Sequence, residues 1–147
     1  MSVVHEGGCA CAAVRYRTKA APLRTSICHC KFCQRRTGSA FGVNVYFKSE
    51  DFEITRGALS AYHHRSDETH RWLNMEFCPG CGTTVTWTLE VVPGSRGVAA
   101  GTFDDTSWLR IERHAWTRSK QHWVQLPADV EKFEKSSLTA PLSPPRG

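Results

Sequence analysis

Seven cysteines in 147 residues fall into three tight groups, and no other feature restricts what this chain can fold into as strongly. Cys28, Cys30 and Cys33 lie within six residues, Cys9 and Cys11 are two apart, and Cys78 and Cys81 frame a C-x2-C followed by Gly82. Residues two apart on an extended backbone project to the same face, so each such pair can aim two thiols at one point. Cys33 rejoins its neighbours if the chain turns tightly after Cys30, as a metal knuckle requires. An odd cysteine count fits a closed disulfide framework poorly. The N-terminus lacks the basic-then-apolar pattern of a signal peptide, and no apolar run approaches the length of a membrane span. A reducing cytoplasmic setting is therefore expected, where clustered thiols serve metal binding or catalysis.

The arithmetic of the thiols suggests two sites. Cys78 and Cys81 form the strongest local metal motif, since the short loop lets both thiolates reach one ion and Gly82 permits the turn. A thioredoxin-like redox reading is weaker, because the pair follows an aromatic strand pattern instead of a strand-to-helix one. Cys9 and Cys11 are the simplest partners to complete four ligands, although spacing alone also admits Cys28 and Cys30. Joining the start of the chain to its middle in this way would supply folding free energy to a small domain. Seven thiols divide naturally into one complete set of four and one incomplete set of three. Cys28, Cys30 and Cys33 would leave a soft divalent ion one exchangeable position, suited to a substrate thiolate. His29, between two same-face cysteines, should point away as a core or supporting histidine.

The rest of the chain reads as one mostly β domain over residues 3–135, with a flexible tail or poorly anchored strap over 136–147. The cleanest strand is Ser39 to Phe47, where Phe41, Val43, Val45 and Phe47 recur at period two and one face should be buried. Further strands are expected near Ala12–Arg17, Arg24–Cys28, Phe52–Ile54, His70–Phe77, Thr83–Leu89 and Val98–Phe103. A helical turn ended by glycine is expected over Gln34–Gly38, and another brief one over Val130–Phe133. Trp108, Leu109 and Ile111 suggest a packed segment, and five tryptophans suggest aromatic-rich packing.

Polar residues give weaker signals. The formal charge is +5, from 19 basic and 14 acidic side chains, which favours anionic small molecules. No basic stripe, recognition-helix pattern or paired RNA-binding aromatics argues for nucleic acid. Arg35 and Arg36 are candidates to pair with a substrate carboxylate and Thr37 to hydrogen-bond it, with Lys31, Arg118 and Lys120 behind them. Asp104 and Asp105 read as turn caps. His63, His64 and His70 lack a ligand spacing. No Ser-His-Asp arrangement or phosphate-binding glycine loop is present.

Taken together, Gly8-Cys9-Ala10-Cys11, then Cys28-His29-Cys30-Lys31-Phe32-Cys33-Gln34-Arg35-Arg36-Thr37-Gly38, then Phe77-Cys78-Pro79-Gly80-Cys81-Gly82-Thr83, closely resemble the glutathione-dependent formaldehyde-activating enzyme family, which includes centromere protein V. Gly101-Thr102-Phe103-Asp104-Asp105, His114 and Arg118-Ser119-Lys120 before Trp123 extend the resemblance to all but the tail. It implies an all-β, zinc-stabilised β-tent fold with two zinc ions. One would be structural, on Cys9, Cys11, Cys78 and Cys81, and the other at the reaction site on Cys28, Cys30 and Cys33. It also implies a carbon–sulfur lyase activity, with glutathione and formaldehyde condensing to S-hydroxymethylglutathione. Where the family often has Cys-Gly-Ala-Val, this chain has Cys11-Ala12-Ala13-Val14, which alters the residue at a bend beside the structural site. The leading expectation is a cytoplasmic zinc enzyme acting on glutathione or a similar thiol and an aldehyde adduct. The alternative is a non-catalytic zinc-stabilised binding protein, although the basic extension of centromere protein V is absent.

Overall fold

The computed structural model describes residues 3–138, and among them the fold is mostly β. A three-stranded antiparallel sheet contains β1 (His5–Gly8), β2 (Arg15–Thr18) and β5 (Phe52–Arg56) in the order β1-β2-β5. The larger sheet is built from β3 (Arg24–Cys28), β4 (Gly42–Lys48), β6 (Ser60–Arg65), β7 (Trp72–Phe77), β8 (Thr84–Leu89), β9 (Ser95–Ala99), β10 (Arg113–Ala115) and β11 (Glu131–Lys132). Its order is β11-β10-β3-β4-β9-β8-β7-β6. Pairing is antiparallel except at β10, which runs parallel to both β3 and β11. The one α-helix among the described residues is α1 (Lys31–Thr37), between β3 and β4.

The hydrophobic core lies where the two sheets meet. Val14, just before β2, and Tyr16 within it pack with Val45, Phe47, Val85, Val98 and Phe103, and Phe52, Ile54 and Trp108 close around them. Tyr16 stacks on Phe52 at 5.1 Å and meets Phe103 edge-on at 5.5 Å. Its hydroxyl is satisfied by Thr102 Oγ1 at 2.7 Å, as burial of a phenol requires. Phe47 is fully buried, and truncation there would cost about 3–5 kcal/mol.

Several sequence expectations change in contact with this packing. In β4 the period-two pattern implied one buried face, but both faces are covered from Asn44 to Phe47. The strand is central, flanked by β3 and β9, so Val45 and Phe47 face the core while Asn44 and Tyr46 face a cleft on the other side. Residues 130–133, read as a helical turn, instead contain the two-residue strand β11, because β10 offers it a parallel edge. The strand expected over Val98–Phe103 starts earlier, at Ser95, and gives way at Ala100 to a 3-10 turn. The segment with Trp108 and Leu109 packs against the core without forming a strand.

Of the described tail residues, Ser137 accepts a hydrogen bond from Arg24 Nη1 at 2.6 Å through its carbonyl, and Leu138 accepts one from Arg71 Nη1 at 3.3 Å. Residues 139–147 of the expected tail lie outside the described residues. No helix among the described residues is long and apolar enough to cross a membrane.

Candidate functional site

The cysteines converge as two separate clusters. Cys9 and Cys11 sit in the turn between β1 and β2, and Cys78 and Cys81 in the turn between β7 and β8. These hairpins belong to different sheets, so the four thiols join the sheets at one point. All four Sγ atoms lie within 4.8 Å of one another, with Cys9–Cys11 at 3.6 Å and Cys11–Cys78 at 3.8 Å. A tetrahedral ion bound at 2.3 Å would need sulfur separations of about 3.8 Å, so this donor set fits one.

The backbone shapes the quartet. Gly82, at φ 79°, supplies the left-handed residue that closes the Cys78–Cys81 turn, with its amide donating to Cys78 O at 2.8 Å. On the other side the Cys9–Cys11 pair is not on extended backbone: the Ala12 amide donates to Cys9 O at 3.0 Å and Ala12 takes φ 64°. Val14 N donates to Cys9 Sγ at 3.3 Å. Cys81 is drawn down to about 5, first by the Thr83 hydroxyl and then by backbone amides.

The second cluster is local. Cys28 ends β3, Cys30 caps α1 and Cys33 lies in its first turn, and their three Sγ atoms are within 4.8 Å of one another. Among the described residues, no further His, Cys, Asp or Glu atom joins this group. Cys30 Sγ accepts the Cys33 amide at 3.2 Å. Hydrogen bonds from the Cys28 and Cys33 thiols, then the Cys33 and Phe32 amides, hold Cys30 down to about 3. Cys28 is pushed up by its sulfur neighbours and by burial. Cys30 is thus the member of the trio drawn towards the thiolate, and it is the one least covered by protein.

His29 points away from the trio, as expected. It is fully buried, its Nε2 is 2.9 Å from His114 Nδ1, and its backbone is tied to Ala115 by the His29 N to Ala115 O bond at 3.0 Å. Burial, then the neighbouring His114, pushes His29 down to about 4, so both rings stay neutral near pH 7. Gln34 completes the support: its amide donates to His29 O at 2.8 Å and Ser119 O at 3.0 Å. It also accepts from Gln121 Nε2 at 2.9 Å. Helix α1 is thereby fixed to the segment after β10.

A cleft of about 410 Å³ opens over the trio, within the usual size range of small-molecule sites. Arg36 borders its inner end, its guanidinium 4.5 Å from the Trp87 ring centre and its Nη2 donating to Asn44 Oδ1 at 3.2 Å. Among the described residues no carboxylate lies within 4.0 Å of Arg36. Trp87 lies over Gly97, its cross-strand partner, where any Cβ would collide with the indole. Arg35 also lines the cleft. Thr37 does not: its hydroxyl donates to Cys33 O at 2.8 Å, and it borders a separate, more open hollow with Ser39 and Phe41.

Sequence reading missed most of this cleft. Trp72, Trp87 and Trp116 line it, while only Trp87 is buried, so the tryptophans serve the cleft more than the core. His64, dismissed for want of ligand spacing, stacks on Phe32 at 4.1 Å and forms part of the wall. Its alternation with Tyr62 was the only available signal. Asp105 caps its turn through Ser107 N at 2.9 Å, as expected, but Asp104 instead pairs with Arg15.

The architecture is that of a mostly β domain with one four-cysteine and one three-cysteine cluster, each able to hold a metal ion. A family model described as glutathione-dependent formaldehyde-activating enzyme matches residues 4–119, and the chain belongs to that family. It is also similar in fold to the crystal structure of a Rhodobacter sphaeroides protein, a structural genomics target. That similarity has a TM-score of 0.54 and 21% identity, over 87% of this chain and 98% of the other.

Proposed function

We propose that this chain is a zinc-dependent enzyme of the carbon–sulfur lyase type, built on the β-tent fold of its family. It would act on glutathione or a similar thiol and its aldehyde adduct, with S-(hydroxymethyl)glutathione synthesis as the first reaction to test. The supporting observation is the sulfur trio beneath the cleft, with no further protein ligand of the usual types among the described residues. Cys9, Cys11, Cys78 and Cys81 would hold one zinc as a structural site, and Cys28, Cys30 and Cys33 the second. Zinc at the trio would supply a soft acid that favours the thiolate form of an incoming thiol.

In the reaction, the thiol sulfur bonds to the carbonyl carbon, the C=O π bond opens, and the thiol proton ends on oxygen. The reverse cleaves the same carbon–sulfur bond. The chain's own residues would orient this exchange. Arg36, held by Trp87 and Asn44 and with no carboxylate within 4.0 Å among the described residues, is placed to meet an anionic oxygen of the substrate. Arg35 adds a second cation at the cleft. Thr37 would act indirectly, by keeping the Cys33 carbonyl and the end of α1 in place. The His29–His114 pair and Gln34 fix the backbone on which Cys28 and Cys30 sit.

The test combines anaerobic metal analysis with initial rates for a panel of thiols and aldehydes, on wild type and Cys30→Ser. Turnover above the uncatalysed condensation is expected in wild type and lost in the folded variant. Product formation at the uncatalysed rate with every thiol and aldehyde in the panel would defeat the assignment.

A further inference from the structure

Strands β6, β7 and β8 are in a register that builds one continuous apolar wall. Tyr62 pairs with Met75 and Met75 with Trp87; His64 pairs with Leu73 and Leu73 with Leu89. Residues opposite one another share a face of the sheet, so His64, Leu73, Met75, Trp87 and Leu89 lie on the same side. All five line the cleft above the sulfur trio.

Leu73, Met75 and Leu89 are only partly covered and stand outside the hydrophobic core. Sheet residues of this kind normally lie beneath a packed layer, but here they face the cavity. The polar groups of the cleft are elsewhere. Arg36 and Asn44 form its inner end, while Lys31, Arg71 and Glu68, the last paired with Arg118 outside the lining, lie in its more exposed part.

This division fits a one-carbon adduct poorly. The hydroxymethyl group derived from formaldehyde is too small to cover three aliphatic side chains. The ammonium and carboxylates of glutathione, laid on the same wall, would lose water without gaining partners. They are better matched to the basic side chains around the cleft.

We infer that the preferred substrate is a thiol adduct RS–CH(OH)–R′ in which R′ is an extended apolar group, an alkyl chain of about six carbons or an aromatic ring, seated on Leu73, Met75 and Leu89. The aldehyde half of the reaction is then a longer apolar aldehyde, R′CHO. Its carbonyl carbon takes the sulfur and its oxygen takes the thiol proton. This inference deepens, and rests on, the thiol–aldehyde reading of the same site.

Binding of unreactive thioethers isolates the wall from the chemistry. The full-length, metal-loaded protein is titrated with S-methylglutathione and S-hexylglutathione, following tryptophan fluorescence, which Trp72, Trp87 and Trp116 make sensitive to the cleft. Each buried methylene is worth roughly fourfold in affinity, so the hexyl compound should bind at least thirtyfold more tightly than the methyl compound. Leu73→Thr and Met75→Gln, each checked for native circular dichroism and metal content, should cut that ratio to below fivefold. A wild-type ratio near one, or a large ratio untouched in both variants, overturns the inference. Failure of the thiol–aldehyde reading is seen separately: a hexyl preference without turnover of any thiol and aldehyde pair leaves the apolar subsite and removes the reaction.

Discussion

The two cysteine clusters set the same side chain in opposite surroundings. The quartet draws its sulfurs from two hairpins in different sheets, 67 residues apart between Cys11 and Cys78, and two of its members are exposed. The trio draws its sulfurs from six consecutive residues, lies beneath a cleft, and leans on a buried scaffold of His29, His114 and Gln34. A cluster that joins distant segments contributes mainly to folding. A cluster closed within one short segment adds little chain constraint, and can be left one ligand short. Under the proposed function the contrast would separate stability from chemistry, and mutation tests that separation.

The largest effect is expected at the quartet. Structural zinc in small domains contributes on the order of 10 kcal/mol of apparent binding free energy, comparable with the entire stability of a domain. Cys78→Ser should therefore leave the chain unfolded or lower its melting temperature by more than about 20 °C, measured by circular dichroism alongside metal content. Cys30→Ser should behave differently. Serine is a favourable helix cap and can accept the Cys33 amide as Cys30 Sγ does, so α1 should persist. Melting should shift by no more than a few degrees while turnover falls at least about a hundredfold. Equal destabilisation by the two substitutions would erase the distinction between the clusters.

How far the sequence reveals these clusters depends on how local their determinants are. The three thiol groups and the strands β3, β4, β7 and β8 are legible because thiol spacing and period-two alternation are local signals, whereas the pairing of Cys9 and Cys11 with Cys78 and Cys81 follows only from the family resemblance. The cleft is not. Its wall depends on the cross-strand register that places Leu73 beside Leu89 and Met75 beside Trp87, and no single strand encodes that register. The double burial of β4 was hidden for the same reason: Asn44 and Tyr46 look like solvent-facing residues until Trp87 and Arg36 cover them. The strand β11 has almost no signal of its own, since its two residues are extended only because β10 is there to pair with them.

A smaller effect should sharpen the contrast from the trio's side. His29 and His114 are held below the ordinary histidine value of 6.5, chiefly by burial, so the folded pair stays neutral where the unfolded chain takes up protons. The unfolded state then binds more protons between pH 6.5 and the lowered values, about 4 for His29, and stability falls as pH drops through that window. Each such proton contributes a slope of about 1.4 kcal/mol per pH unit at most. His114→Gln removes one of them. The difference between wild-type and variant unfolding free energies, from denaturant titrations at pH 7, 6 and 5, should show the flatter slope in the variant. Parallel curves would mean that His114 carries no acid sensitivity of its own.

The smallest effect belongs to the quartet, at the residue where this chain departs from the usual family text. Ala12 takes φ 64° between Cys11 and Val14. The left-handed region costs a residue with a Cβ about 1–2 kcal/mol, and glycine avoids that cost. Glycine also loses more backbone freedom on folding, which removes about 0.4–1 kcal/mol of the gain. Ala12→Gly should therefore stabilise the domain by roughly 0.5–1 kcal/mol, a rise of a few degrees in melting temperature for a chain of this length. Metal content should not change, because the Val14 amide still reaches Cys9 Sγ and the Ala12 carbonyl that accepts from Arg56 is a backbone group. The gain should appear only while the quartet holds its ion, since chelation releases the turn and with it the requirement for a positive φ. A stabilisation that survives chelation would place its origin outside the knuckle, and the strained alanine would not be the weak point of the structural site.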